Sequence, residues 1–168
     1  MLWFILTFFS IYTIMHFYIF HTKISPIISG KKLKKNLPIV MIILISSPIF
    51  LRYADKYASS QVSYLVALFV LFWMGTLIYL VFFSLLWDTF KWFAKKIFNY
   101  QVSKNREFFF LFFLSLVFSG YSYFETKNLE VIRIEFKTCK LPEGIDKIKI
   151  LQISDLHLGS FFSTQPVE

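Results

Sequence analysis

The chain has 168 residues, of which 57% are hydrophobic, 21% aromatic and only 17% charged, with a formal net charge of +8. Soluble domains carry about a quarter charged residues, so this chain lacks the polar side chains that a water-exposed surface requires. The positive excess belongs to residues 1–124, which hold 12 basic and 3 acidic side chains and place the basic ones between apolar runs. This distribution predicts contact with lipid and control of membrane topology, and no nucleic-acid partner is expected.

Four apolar runs predict a polytopic membrane domain over residues 1–124, because charge-free apolar stretches of about 18 residues or more are typical of membrane spans. The predicted transmembrane helices cover about residues 1–20, 37–51, 60–87 and 108–124. The second run is the short one, since it would reach about 22 Å as a helix against a hydrocarbon core of about 30 Å. We favour a span there, with a re-entrant segment as the alternative. His16, inside the first run, is expected to be a neutral imidazole at the interface.

The basic segment that follows the third run predicts a short helix lying in the membrane interface over about residues 88–100. Phe90, Phe93 and Ile97 recur there at helical spacing among lysines, which is typical of an amphipathic helix with its basic face toward water. A helix that binds a calmodulin-like partner is the less favoured alternative.

Loop charges predict the orientation of the chain. Loops 21–36 and 88–107 hold five basic residues each, and short basic loops stay in the cytoplasm. With four spans, the protein is expected to be a multi-pass protein of the cell membrane with residues 125–168 on the extracytoplasmic side. If residues 37–51 are re-entrant, that side is reversed.

Residues 125–168 differ in character and predict a separate soluble segment. Residues 129–137 alternate between apolar and polar side chains, which predicts a strand with one wet face, and residues 147–154 predict a second, more apolar strand. The single cysteine, Cys139, excludes an intrachain disulfide and a cysteine-based metal site.

The second predicted strand ends in the one motif that suggests chemistry, Asp155-Leu156-His157. In an extended chain, residues two apart point to the same side, so Asp155 and His157 would project together. A carboxylate and an imidazole form a good half-site for manganese, iron or zinc, and Gly159 allows a sharp turn beside them. The alternative is a solvated aspartate that caps the next turn beside an exposed histidine.

Residues 149–159, Lys-Ile-Leu-Gln-Ile-Ser-Asp-Leu-His-Leu-Gly, resemble the first signature block of the calcineurin-like metallophosphoesterases, especially membrane-attached bacterial members. The resemblance implies that Asp155 and His157 are ligands of the first of two divalent metal ions, Mn, Fe or Zn, which activate a hydroxide for attack on phosphorus. It also implies an α/β sandwich fold. The predicted fold class is therefore an all-α membrane domain of about four transmembrane helices, followed by the first strands of a truncated metallophosphoesterase sandwich in residues 125–168.

The family's later blocks, Gly-Asp, Gly-Asn-His and Gly-His-x-His, do not occur in the sequence. We therefore expect an N-terminal fragment of a phosphoesterase that holds at most a partial metal site and is inactive alone. Expected partners are the lipid bilayer and a phosphate-ester or pyrophosphate substrate, with a lipid-linked one left open. The alternative is a non-enzymatic multi-pass membrane protein or a decayed remnant. A transporter is disfavoured, because residues 57–87 and 108–124 contain no ionisable pathway residue of the usual kind.

Overall fold

The computed structural model describes residues 2–98, 103–126, 132–136 and 148–150. Within these residues the chain forms four α-helices and one π-helical turn. They are α1 (Leu2–Ile19), the π turn (Phe20–Ile24), α2 (Lys31–Tyr57), α3 (Ser60–Phe98) and α4 (Lys104–Glu125). The third helix is the centre of the bundle, since it packs against α4, α2 and α1.

All four helices are long and apolar enough to cross a membrane, over Leu2–Ile24, Lys31–Tyr57, Ser60–Lys95 and Lys104–Glu125. Their outward faces carry large exposed apolar side chains, such as Phe69 on α3 and Phe113 on α4. Such surface is unstable in water and suits contact with lipid. These helices agree with the prediction of a multi-pass membrane protein.

The inward face of α1 carries Tyr12, His16 and Ile19, whose spacing of four and three residues places them on one side of the helix. Together with Leu77 and Leu80 of α3, Tyr12 and Ile19 belong to the buried core. His16 is fully buried between the helices of the bundle, and its predicted depth at the membrane interface stays a prediction.

The second helix is 27 residues long and contains a proline, Pro48, in its second half. Proline has no N–H, so it leaves the carbonyl four residues earlier, that of Leu44, without its helical donor. Two hydroxyls replace that donor: Ser47 donates to the Leu44 carbonyl at 2.7 Å, and Tyr12 of α1 donates at 3.4 Å. Side-chain donors of this kind allow proline inside a membrane helix, so α2 passes Pro48 unbroken.

The third helix has 39 residues, or about 58 Å at 1.5 Å per residue. A separate interfacial helix was predicted over about residues 88–100, but residues 88–98 continue α3 without a break. The physical reason is that the charged segment contains neither proline nor glycine, and lysine is a good helix former. A change from apolar to basic composition marks the end of the apolar run, but it does not end the helix.

The fourth helix packs on α3 through small and hydroxyl-bearing residues. Thr76 donates to the Ser119 hydroxyl at 3.1 Å, and the hydroxyls of Tyr79 and Ser122 lie 2.8 Å apart. Ser115 is fully buried on the same face of α4. Small residues let membrane helices approach closely, and hydroxyls then bond across the interface.

The predicted strands, and with them the α/β sandwich, are wrong for the residues that the structure describes. Residues 132–136 and 148–150, which lie inside the two predicted strands, have no regular secondary structure and are exposed. An alternating pattern forms a strand only where a neighbouring strand accepts its backbone hydrogen bonds, and an isolated strand is not stable in water. The described fold is therefore all-α.

Candidate functional site: a buried ion-pair network

The two metal ligands predicted from the sequence, Asp155 and His157, lie outside the described residues. Among the residues that are described, no three His, Cys, Asp or Glu side chains group together in a way that could hold a metal ion. The metal half-site therefore stays a prediction from the sequence.

The structure brings together a different set of charged side chains, at the end of the bundle where α1 ends and α4 begins. Lys23 lies 2.6 Å from an Asp88 oxygen and 2.8 Å from a Glu107 oxygen. Lys91 contacts the same two oxygens, at 3.0 Å and 2.8 Å, and the second Glu107 oxygen at 2.9 Å. These four residues, with two positive and two negative charges, are called the ion-pair network below.

A tyrosine completes the bonding of Asp88. Tyr18 of α1 donates its hydroxyl to the Asp88 oxygen Oδ2 at 2.7 Å, while Lys23 and Lys91 both approach Oδ1. Both carboxylates therefore accept hydrogen bonds through both of their oxygens, and each contacts the ammonium groups of Lys23 and Lys91. Charge-assisted hydrogen bonds of this kind are roughly twice as strong as neutral ones.

Three elements position these side chains. Lys23 lies in the π turn, seven residues beyond His16 and on the inward side of the chain, with its side chain 5% exposed. Asp88 and Lys91 are three residues apart on α3, so they share one face. Glu107 lies in the first turn of α4, where the helix dipole favours a negative charge. The network therefore joins α1, α3 and α4 at one end of the bundle.

Burial is uneven across the network. The side chains of Lys23 and Glu107 are 5% and 7% exposed, whereas those of Asp88 and Lys91 are about one-third exposed. A buried charge is tolerated only when it is paired and hydrogen-bonded. The two buried charges meet this condition, because Lys23 contacts both carboxylates and Glu107 contacts both ammonium groups. The arrangement suits a clamp between helices rather than an acid, a base or a nucleophile, because its ionised groups are bound to one another.

A second polar group lies deeper between α1 and α3. The His16 nitrogen Nδ1 is 2.8 Å from the Tyr12 carbonyl, and Trp73 of α3 donates its indole N–H to His16 Nε2 at 3.1 Å. A carbonyl can only accept and an indole N–H can only donate. These partners assign the neutral tautomer with its proton on Nδ1. Both ring nitrogens of His16 are thus hydrogen-bonded, which indicates a structural role for this residue.

Sequence reasoning placed Lys23, Asp88, Lys91 and Glu107 in loops or helix ends and did not connect them. A usable signal was present, because residues 1–124 contain only three acidic residues against twelve basic ones. Two of those three, Asp88 and Glu107, stand at the end of one apolar run and at the start of the next. Ionisable residues at such positions are candidates for pairing inside a bundle.

The chain matches no protein-family model, no curated protein and no solved structure. The resemblance of residues 149–159 to a metallophosphoesterase block therefore stays a prediction from those residues alone.

Proposed function

We propose that this chain is the membrane-anchoring N-terminal part of a metal-dependent phosphoesterase. In this proposal, the four-helix bundle holds the segment that carries Asp155 and His157 at the surface of the membrane. The observation that carries the proposal is the order of the chain: the last apolar helix ends at Glu125, and the metallophosphoesterase-like block at residues 149–159 follows soon after it.

The donor set of the block suits the proposed reaction. An aspartate oxygen and a histidine nitrogen are ligands that manganese, iron and zinc accept. Two such ions, when bound, supply Lewis acidity and an activated water for attack on the phosphorus of a phosphate ester or pyrophosphate. Asp155 and His157 would hold the first ion. Two ligands do not complete a two-metal centre, so residues 1–168 alone are proposed to be inactive.

The ion-pair network supports the role of an anchor. A clamp at one end of three helices favours a fixed arrangement of the bundle, and among the described residues the ionised groups of the network are all paired with one another. A bundle of this kind is suited to holding an attached segment at a constant depth. A transport pathway would instead need a series of ionisable groups along the apolar part of the spans, whereas His16 in the first span is neutral and hydrogen-bonded through both ring nitrogens.

The orientation is also a proposal. The α1–α2 and α3–α4 connections lie at the same end of the bundle, since the ion pairs of Lys23 bring the end of α1 to the beginning of α4. The helix ends that flank both connections are strongly basic, so we place that end in the cytoplasm of a cell membrane. Four spans then place residues 125–168, including Asp155, on the extracytoplasmic side.

The test is to express the gene together with the DNA that follows codon 168 and to assay the purified membrane protein with an aryl phosphate and Mn²⁺. An open frame that encodes the Gly-Asn-His and Gly-His-x-His blocks is expected, with metal-dependent hydrolysis that Asp155→Ala abolishes. Asp146→Ala is the matched control, since it removes a carboxylate of the same segment outside the block. Activity that survives Asp155→Ala would overturn the proposal. A frame interrupted by stop codons would favour the alternative, a non-enzymatic membrane protein.

A further inference from the structure

A polar cleft of about 130 Å³ opens beside the ion-pair network. It is lined by Thr22, Lys23, Asp88, Lys91, Lys104 and Glu107. Three ammonium groups thus face two carboxylates, and the two carboxylates are already shared between Lys23 and Lys91. Lys104 makes no ion pair with any residue in the described part of the chain, so the cleft has an uncompensated charge of one cation.

The cleft lies at the ends of the apolar runs of the helices. Lys23 stands next to the last residue of the first span, Leu2–Ile24, and the fourth span begins at Lys104. Asp88 directly follows the charge-free run of residues 57–87. All three positions mark the boundary between apolar helix and water, which in a bilayer is occupied by the phosphate groups of the lipids.

The surroundings of the cleft favour an anion. Residues 21–35 carry five lysines and no acidic residue, and residues 88–107 carry five basic and two acidic residues. The first N–H groups of α4, from Lys104 to Arg106, have no acceptor within the helix, and the Ser103 side chain does not cap them. Free N–H groups at a helix N-terminus are suited to phosphate oxygens, and here they lie beside the uncompensated ammonium of Lys104.

We propose that this cleft binds the phosphate of an anionic phospholipid, with Lys104 as its main charge partner. A lipid is favoured over a soluble phosphate because Phe108 and Phe112, four and eight residues after Lys104, lie on the same side of α4 and are partly exposed. They continue from the cleft into the apolar layer, where they offer a surface for the acyl chains. Basic pockets between transmembrane helices bind lipid headgroups in this way. This inference is independent of the proposed phosphoesterase activity, because it uses only residues of the membrane bundle.

The experiment is a lipid-retention measurement on the whole 168-residue chain, in detergent, by native mass spectrometry with phosphatidylglycerol or phosphatidylcholine added. Preference for phosphatidylglycerol is expected, with about fivefold weaker binding in Lys104→Gln, the effect of one lost charge at a membrane surface. Lys95→Gln is the matched control: it removes an exposed lysine from the same end of the bundle, and Lys95 is not among the residues that line the cleft. The Lys95→Gln variant should bind phosphatidylglycerol within about twofold of the parent, a smaller change than that expected for Lys104→Gln. Both lysines are exposed, so the two variants should keep the helical circular dichroism of the parent.

Equal losses in Lys104→Gln and Lys95→Gln would overturn the inference, because they would show diffuse attraction to a basic surface instead of a site. A second arm adds glycerol phosphate or inorganic phosphate as competitors. Neither should displace phosphatidylglycerol at equal concentration. Displacement by the soluble anions would assign the cleft to a free phosphate and would also overturn the lipid assignment.

Discussion

Replacing Glu107 with glutamine tests whether the ion-pair network stabilises the bundle. The Glu107 carboxylate lies 2.8 Å from the buried ammonium of Lys23 and 2.8 Å and 2.9 Å from that of Lys91. Removing one partner of a buried ion pair costs about 3–5 kcal/mol. The cost here should be lower, about 2–3 kcal/mol, because Asp88 still contacts Lys23 and because water reaches the half-buried Lys91.

The free energy of unfolding can be measured by titrating sodium dodecyl sulfate into a mild detergent and following tryptophan fluorescence. Glu125→Gln is the matched control, since Glu125 is exposed at the end of α4 and its loss should change stability by less than about 0.5 kcal/mol. Lys23→Met combined with Glu107→Gln should cost less than the sum of the two single changes, because each disrupts the same contact. The reasoning is refuted if Glu107→Gln and Glu125→Gln have the same stability.

Three further outcomes are expected. Carbonate washing should leave the chain in the membrane fraction, because four apolar helices cannot enter water, and recovery in the soluble fraction would contradict the multi-pass assignment. A cysteine introduced by Ser160→Cys, with Cys139→Ser, should react in intact cells with a membrane-impermeant maleimide, whereas labelling only after lysis would reverse the proposed orientation. Ser47→Ala should destabilise the bundle by about 0.5–1 kcal/mol, since it removes a donor to the Leu44 carbonyl. In a Pro48→Ala background, which restores the backbone donor, most of that effect should disappear, and an unchanged effect would show that the carbonyl is not the cause.

The membrane helices could be predicted because their main signal is local. A run such as residues 57–87 is free of charge over a length that crosses a bilayer, and no other part of the protein is needed to recognise it. The boundaries were less predictable. Residues 88–98 were separated from α3 because their composition changes, although their helix propensity does not. The strand prediction for residues 132–136 was wrong for the opposite reason, since a strand depends on a partner that its own alternating pattern does not provide.

The candidate site shows the limit of such reasoning most clearly. Local composition determined that charged residues flank the apolar runs, because desolvating an ammonium or a carboxylate inside the bilayer is too costly. Only the tertiary structure decided that Lys23 meets Asp88 and Glu107, since these residues are separated by 65 and 84 positions and lie on three different elements. The same is true of α2, where the Tyr12 hydroxyl of another helix donates a hydrogen bond to the carbonyl that Pro48 leaves free. A helix span is a property of one segment, whereas a buried charge or an orphaned carbonyl is satisfied by whichever neighbour the packed bundle brings within hydrogen-bond distance.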